Sequence, residues 1–374
     1  MKIELFKMER MQSTYENLVE YNLSESGVHP MTLAELLDLD GHPHLIDQIM
    51  KQELGYVQSN GTPELRDRIA LMYPGASRDN IIVTNGTAEA NLLTALRLTE
   101  PEDEIVMMLP NYMQLWGITR SLSRNVRPFH LKEEKQWHPD LDELRSVVSN
   151  RTKLIAVCNP NNPTGSILTE QEMSEIARIA ESCGAWLLAD EVYRGAERED
   201  PESKTFYGRY DRVIITSGLS KAYGIPGLRI GWIVSQPQFV AECWSYHDYT
   251  TIGTSMLSDI LARVALAPGK RLSILERTRS ILKKNFPVLD AWIKNHGTMF
   301  SMIAPRAGAI AYMRYKLDVN STELVDKLRT EKSVLIVPGD HFGMDHYLRI
   351  GYGSPAEYIQ AGLNRINETL QQHI

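Results

Sequence analysis

Short, nearly continuous apolar runs punctuate the chain between residues 80 and 235: Ile81–Val83, Glu104–Leu109, Lys153–Cys158, Ala185–Asp190, Val213–Thr216 and Arg229–Val234. Runs of this length and apolarity suit strands buried on both faces, as in a parallel sheet covered by helices. Between them the apolar positions change period. Thr169 and Glu172 are spaced as a capping box, and Met173, Ile176, Ala177 and Ala180 follow at i, i+3, i+4 and i+7. Gly184 stands where a helix end needs a left-handed residue. The spacing therefore predicts a helix starting at Thr169. Another is predicted from Pro63, whose missing N–H costs nothing at a first helical position. After about residue 265 the pattern changes to a long amphipathic stretch, strand-like runs near Ala309–Met313 and Val334–Val337, and a terminal helix. This predicts an α/β fold followed by a second, α+β unit that the N-terminal 40 residues join.

Composition narrows the function classes. The 374 residues carry 47 acidic and 40 basic side chains, a formal net charge of −7. Without a dense basic block, nucleic acid is not expected as the main partner. No apolar run approaches the ~18–20 residues of a membrane span, and the opening MKIELFKMERMQ lacks the apolar core of a secretion signal. Cys158, Cys183 and Cys243 have no paired or metal-type spacing, which suggests reduced thiols packed in the core. The ten histidines show no metal-ligand spacing, so no metal is expected. The expectation is a cytoplasmic two-domain protein.

Open parallel sheets bind ligands beyond the carboxyl ends of their strands. The residues following each run therefore form a list of site candidates. Thr84-Asn85-Gly86-Thr87-Ala88-Glu89 leads from a strand into a helix, offering free N–H groups to an anion. Tyr112 follows Glu104–Leu109, and the rigid loop Asn159-Pro160-Asn161-Asn162-Pro163-Thr164-Gly165 follows Lys153–Cys158. Asp190 closes an apolar strand, where an unpaired carboxylate is costly and requires a partner. Lys221 lies among small residues in Ser217–Gly224, and desolvation there lowers a lysine pKa toward nucleophilic use. Arg229 follows. Each feature alone has a structural explanation; their shared order and shared edge point to one site.

The motifs NNPTG at Asn161–Gly165, DEVY at Asp190–Tyr193, SKAYGIPGLRIGW at Ser220–Trp232 and LRIGY at Leu348–Tyr352 resemble those of fold-type I pyridoxal-phosphate enzymes, the class I/II aminotransferase group. The resemblance runs from about residue 20 to the end. It implies a large domain with a mostly parallel seven-stranded sheet between helices and a smaller α+β domain from both chain ends. The boundaries expected are 1–45 for the N-terminal arm, 46–265 for the large domain and 266–374 for the C-terminal part. It implies pyridoxal 5′-phosphate as cofactor, amino and keto acids as small-molecule partners, and a homodimer in which Tyr56 reaches the other subunit's phosphate.

Residue by residue, the resemblance makes Lys221 the Schiff-base lysine and proton carrier, and Asp190 the partner of the pyridinium nitrogen. Asn162 and Tyr193 would bond the ring O3′, and Tyr112 would stack on the ring. Arg229, the Gly86-Thr87-Ala88 turn and a hydroxyl near the lysine would hold the phosphate. That hydroxyl is Ser217 or Ser220, because Gly218 stands where many members carry Ser or Thr. Arg349 would clamp the substrate α-carboxylate, a task its planar fork suits, and Asn162 and Gly27 would also line the substrate site. No second arginine marks a dicarboxylate substrate. Transamination is the leading expectation. The alternative is the chemistry of family members that eliminate a β-hydroxyl and cyclise the product, because Ser24–Pro30 and Val334–Gly343 are similar to theirs.

Overall fold

The computed structural model describes residues 2–38, 45–123 and 125–370. Its main sheet has eight strands, in the order Ile81–Thr84, Gly231–Val234, Val213–Gly218, Trp186–Asp190, Thr152–Cys158, Glu104–Leu109, Asn125–Lys132 and His138–Pro139. Six run in one direction; Gly231–Val234 is antiparallel to both neighbours, and the two-residue His138–Pro139 caps the far edge. The expected seven strands are thus present, with one short strand added.

The apolar runs do what their composition demands. Ile105, Met107, Leu154, Ala156, Leu188 and Ile214 pack into one buried layer with Ala90, Leu93, Leu115 and Phe239 from the helices Thr87–Leu98, Gln114–Leu122 and Pro237–His247. Their sequence neighbours Val106, Met108, Ile155, Val157, Leu187 and Ile215 join the other layer with Leu65, Ile69, Met173 and Ile176. Alternation along a strand sends successive side chains to opposite faces, and both faces here are covered.

The helix Glu170–Cys183 forms as its spacing requires: Thr169 accepts from the Glu172 N–H, Glu172 returns the bond, and Gly184 closes it at φ 70°. Thr62 caps Pro63–Ala70. Two runs depart from expectation. Only Gly231–Val234 of the run Arg229–Val234 is strand, because Arg229 sits at φ 51° closing the turn Pro226–Leu228. Asn125–Lys132 is a strand that the apolar pattern did not mark. It lies near the sheet edge, only Phe129 and Leu131 of it are buried, and Pro128 falls where only Met107 pairs with it.

Beyond the 26-residue helix Lys270–Asn295, Phe300–Met302, Ile310–Tyr315, Tyr347–Gly351 and Val337–Pro338 make a separate antiparallel sheet. The two chain ends meet there: Tyr21–Asn22 pairs in parallel with Val334–Leu335. No helix among the described residues is long and apolar enough to cross a membrane.

Candidate active site

A cavity of about 550 Å³ opens at the carboxyl ends of the parallel strands. Its lining brings together Gly27, Thr87, Ala88, Tyr112, Asn162, Asp190, Tyr193, Ser220, Lys221, Arg229 and Arg349. Most of these positions, far apart in sequence, converge because they end, lie on or shortly follow a strand, while Arg229 closes the turn that leads into Gly231–Val234. Three expected residues do not line it. Gly86 lies behind Arg229, where an added Cβ would come within 2.4 Å of the guanidinium. Ser217 is buried and donates to the Glu191 carbonyl at 3.2 Å, so Ser220, 3.5 Å from Arg229 Nη1, is the hydroxyl at the cavity. Tyr56 is 94% exposed and away from its own chain's cavity.

The anion-binding end is built by close backbone approach. Gly86, at φ 82°, opens the helix Thr87–Leu98 with no side-chain cap on its N-terminal donors. Gly231 packs under it, and a Cβ there would meet Gly86 and Thr87 backbone at 2.4 Å. The Thr87 hydroxyl is buried without a hydrogen-bond partner.

Asp190 ends the strand Trp186–Asp190, paired with Cys158 on one side and Thr216 on the other. One carboxylate oxygen accepts from the Val192 N–H at 3.1 Å and the other from the Asn91 amide at 3.3 Å. Asn91 is itself oriented by the Thr216 hydroxyl at 2.8 Å. Burial outweighs these bonds and pushes the Asp190 carboxyl up to about 6, so this charge lacks a full cationic partner. The next residue, Glu191, turns away: it accepts from Thr205 and the Phe206 N–H, and burial raises it to about 7.

Lys221 faces the cavity, its stem against Gly27. Burial lowers its pKa, with Glu25 and Glu9 opposing the shift and Arg349 and Arg229 adding to it. Arg349, on the strand Tyr347–Gly351, is 1% exposed. Its Nη1 donates to Asn162 Oδ1 at 3.0 Å and its Nη2 to the Ser24 carbonyl at 2.6 Å, while Nε has no partner. The Tyr193 phenol is pushed up by burial and pulled back by Arg349. Cys158 reaches the cavity wall, but its thiol donates to the Pro160 carbonyl and burial raises its pKa well above the usual range, so it is no nucleophile.

The roof comes from a segment whose chemistry the sequence did not reveal. The helix Lys7–Tyr15 contributes Met8, Glu9, Gln12 and Ser13, and Glu16 follows as its C-terminal residue. Met8, Gln12 and Glu16 are spaced i, i+4 and i+8, the signature of one helix face. Glu9 accepts from the Tyr112 hydroxyl at 2.8 Å, and Gln12 donates to Ser24, docking the helix over the cavity. Asn91 was likewise missed; its one signal is the i, i+4 spacing from Thr87.

A family model described as aminotransferase class I and II matches residues 33–366. The chain is 33% identical over 357 residues to capreomycidine synthase of Streptomyces vinaceus, covering 94% of this chain and 90% of that protein. A solved PLP-dependent aminotransferase from Streptococcus suis superposes with TM-score 0.94 at 33% identity, covering 100% of this chain and 99% of that one. The PLP-dependent cyclase OrfR shares the fold, with TM-score 0.90 at 24% identity over 100% of this chain and 99% of that one. The chain belongs to the class I and II aminotransferase family, and its cofactor is pyridoxal phosphate. Members of this family act on small-molecule amino acids.

The residues fit that group. An uncapped helix start with an unpartnered Thr87 hydroxyl beside Arg229 suits a phosphate. A buried carboxylate with a raised pKa suits a protonated ring nitrogen, and a cavity-facing lysine with a lowered pKa suits an aldehyde.

Proposed function

We propose that the chain is a PLP-dependent aminotransferase that moves the α-amino group between an amino acid and a keto acid. The observation that carries this reading is the pairing of Lys221 and Asp190 in one cavity, one with its pKa lowered by burial and the other with its pKa raised. Bound there, pyridoxal phosphate supplies an aldehyde that joins amines and a ring that takes up negative charge developing at Cα.

The chain's own residues do the rest. Lys221 Nζ would hold the cofactor at its aldehyde and, once displaced by the substrate amine, would carry the proton between Cα and the cofactor C4′. Asp190 keeps the ring nitrogen protonated, and Asn91 and the Val192 N–H hold its carboxylate in place. Asn162 and Tyr193 would bond the ring O3′, and Tyr112 would cover the ring; all three line the cavity. Arg229, Ser220 and the Gly86-Thr87-Ala88 turn take the phosphate. Arg349 presents its guanidinium, with the unpaired Nε, to the α-carboxylate, and Gly27 leaves room beside Lys221. The strong exposure of Tyr56 supports its reaching a second subunit in a homodimer. We assign residues 46–265 to the cofactor-binding unit and residues 1–45 with 266–374 to a smaller unit, on the support of the pairing of Tyr21–Asn22 with Val334–Leu335.

A second reading is elimination and cyclisation on an amino acid with a cationic side chain. The roof favours it: Glu9, Glu16 and Glu25 all line the cavity, and burial together with its neighbours Glu25 and Glu9 raises the Glu16 pKa. Glu16 also ends a helix, where the dipole disfavours an anion. A substrate guanidinium or ammonium would relieve both. The similarity to capreomycidine synthase points the same way.

The test is turnover of a panel of amino acids with and without keto acids. Amine transfer that requires a keto acid supports the first reading. Turnover of a β-hydroxy amino acid with no keto acid present replaces it with the second.

A further inference from the structure

Outside the cavity, a buried carboxylate met by four donors stands directly behind the turn assigned above to the phosphate. Glu89 is 7% exposed, in the first turn of the helix Thr87–Leu98. Its Oε2 accepts from the backbone N–H of Asn85 at 2.6 Å. Its Oε1 accepts from the Thr251 hydroxyl at 2.8 Å and also from the Thr250 hydroxyl. His247 Nε2, fully buried at the end of the helix Pro237–His247, lies 3.2 Å from Oε2.

An acidic residue at the third helical position normally reaches back to the cap residue's own N–H. Here the cap is Gly86, and Glu89 reaches one residue further, to Asn85. That choice withdraws the Asn85 donor from the turn; the Gly86 N–H donates to the Thr84 carbonyl at 2.9 Å, and the Thr87 and Ala88 N–H groups are left without a side-chain acceptor. It also bridges the turn to the segment His247–Thr251, so the turn's backbone is held from both sides. A carboxylate so near an anion site would repel the anion if its charge were free. Donors from Asn85, Thr250, Thr251 and His247 take up that charge and hold Glu89 at about 2, despite burial.

We propose that Glu89, held by His247 and Thr251, is a positioning residue for the cofactor phosphate: it sets the turn so that the N–H groups of Thr87 and Ala88 point at the anion. The inference rests on the assignment of that turn to the phosphate. It gives the buried Glu89–His247 pair a role that no step at Lys221 uses.

The test compares the affinity of the cofactor-free protein for pyridoxal phosphate with its affinity for pyridoxal, which lacks the phosphate. Both are read by absorbance titration beside the thermal midpoint of the free protein. Glu89→Gln keeps the side-chain shape, and Thr251→Val removes one donor while Glu89 stays in place. The expected result is a fall of about tenfold in the pyridoxal phosphate-to-pyridoxal ratio for Glu89→Gln. Thr251→Val should give a smaller fall in the same direction. A ratio that is unchanged or higher, with both affinities or only the thermal midpoint falling, overturns the proposal and leaves Glu89 a structural residue. Should the wild-type protein itself show no preference for pyridoxal phosphate, the phosphate assignment of the turn fails first, and the proposal fails with it.

Discussion

The floor and the roof of the cavity are built in opposite ways. On the floor, Asn162, Asp190, Ser220 and Lys221 end or follow strands of one sheet, Arg229 closes the turn into another, and buried ladders set their places. Over it lie the helix Lys7–Tyr15 and the segment around Glu25, joined to the floor by a few polar contacts: Gln12 to Ser24, Tyr112 to Glu9 and Arg349 to the Ser24 carbonyl. Buried charge on the floor has assigned partners or a cofactor to receive it. On the roof, burial and then the neighbouring Glu25 and Glu9 raise the Glu16 pKa. The floor therefore carries the residues that the proposed cofactor chemistry uses, and the roof carries the acidic groups on which the proposed cationic-substrate reading rests.

Substitutions can break that division, in descending order of effect. Asp190→Asn removes the partner of the ring nitrogen from the floor. Amine transfer should slow by about a thousandfold, with the thermal midpoint of the loaded protein nearly unchanged; a wild-type rate would detach Asp190 from the ring. Arg349→Lys keeps a charge but loses the planar fork. KM for the amino acid should rise by about ten- to a hundredfold while kcat changes less, and an unchanged KM moves the carboxylate clamp elsewhere.

Roof variants should act on selectivity instead of rate. With Glu16→Gln or Glu25→Gln, the affinity ratio of L-arginine to its neutral counterpart L-citrulline should fall by about three- to tenfold. A ratio already near one in the wild-type protein would remove the cationic substrate from the account.

The smallest effect is a pH dependence. The Asp190 carboxyl of the cofactor-free protein sits near 6, above its ordinary 3.8. A folded-state pKa raised in this way contributes stability below about 4 that is lost as pH rises through about 6. Asp190→Asn should therefore gain on the wild type in thermal midpoint between pH 4 and 7. Glu89, depressed to about 2 from 4.5, has the opposite sign: its contribution is present above about 4.5 and lost as pH falls toward 2.

The same contrast explains what could be read from the chain. Floor residues sit in dense motifs immediately after apolar runs, so strand pattern and chemistry coincide at Asp190 and Lys221. Roof residues are single positions on a helix whose apolar face is narrow, with only Met8 and Gln12 fully covered. Nothing local announces that Glu9 will meet Tyr112, 103 residues away. Asn91 is hidden for a related reason, and although Glu89 ends the turn the sequence marks, its task is not legible there: only tertiary neighbours such as Thr216 and His247 reveal what each does. Asn125–Lys132 escaped because a half-exposed edge strand carries polar residues that a buried one cannot.

Lys221 is the residue proposed to carry the cofactor. Borohydride reduction of the protein loaded with pyridoxal phosphate, followed by peptide mass mapping, tests it directly. The account predicts one pyridoxyl adduct, on the peptide containing Lys221, and none in Lys221→Ala. A stoichiometric adduct on another lysine, or none in protein saturated with the cofactor, would contradict it.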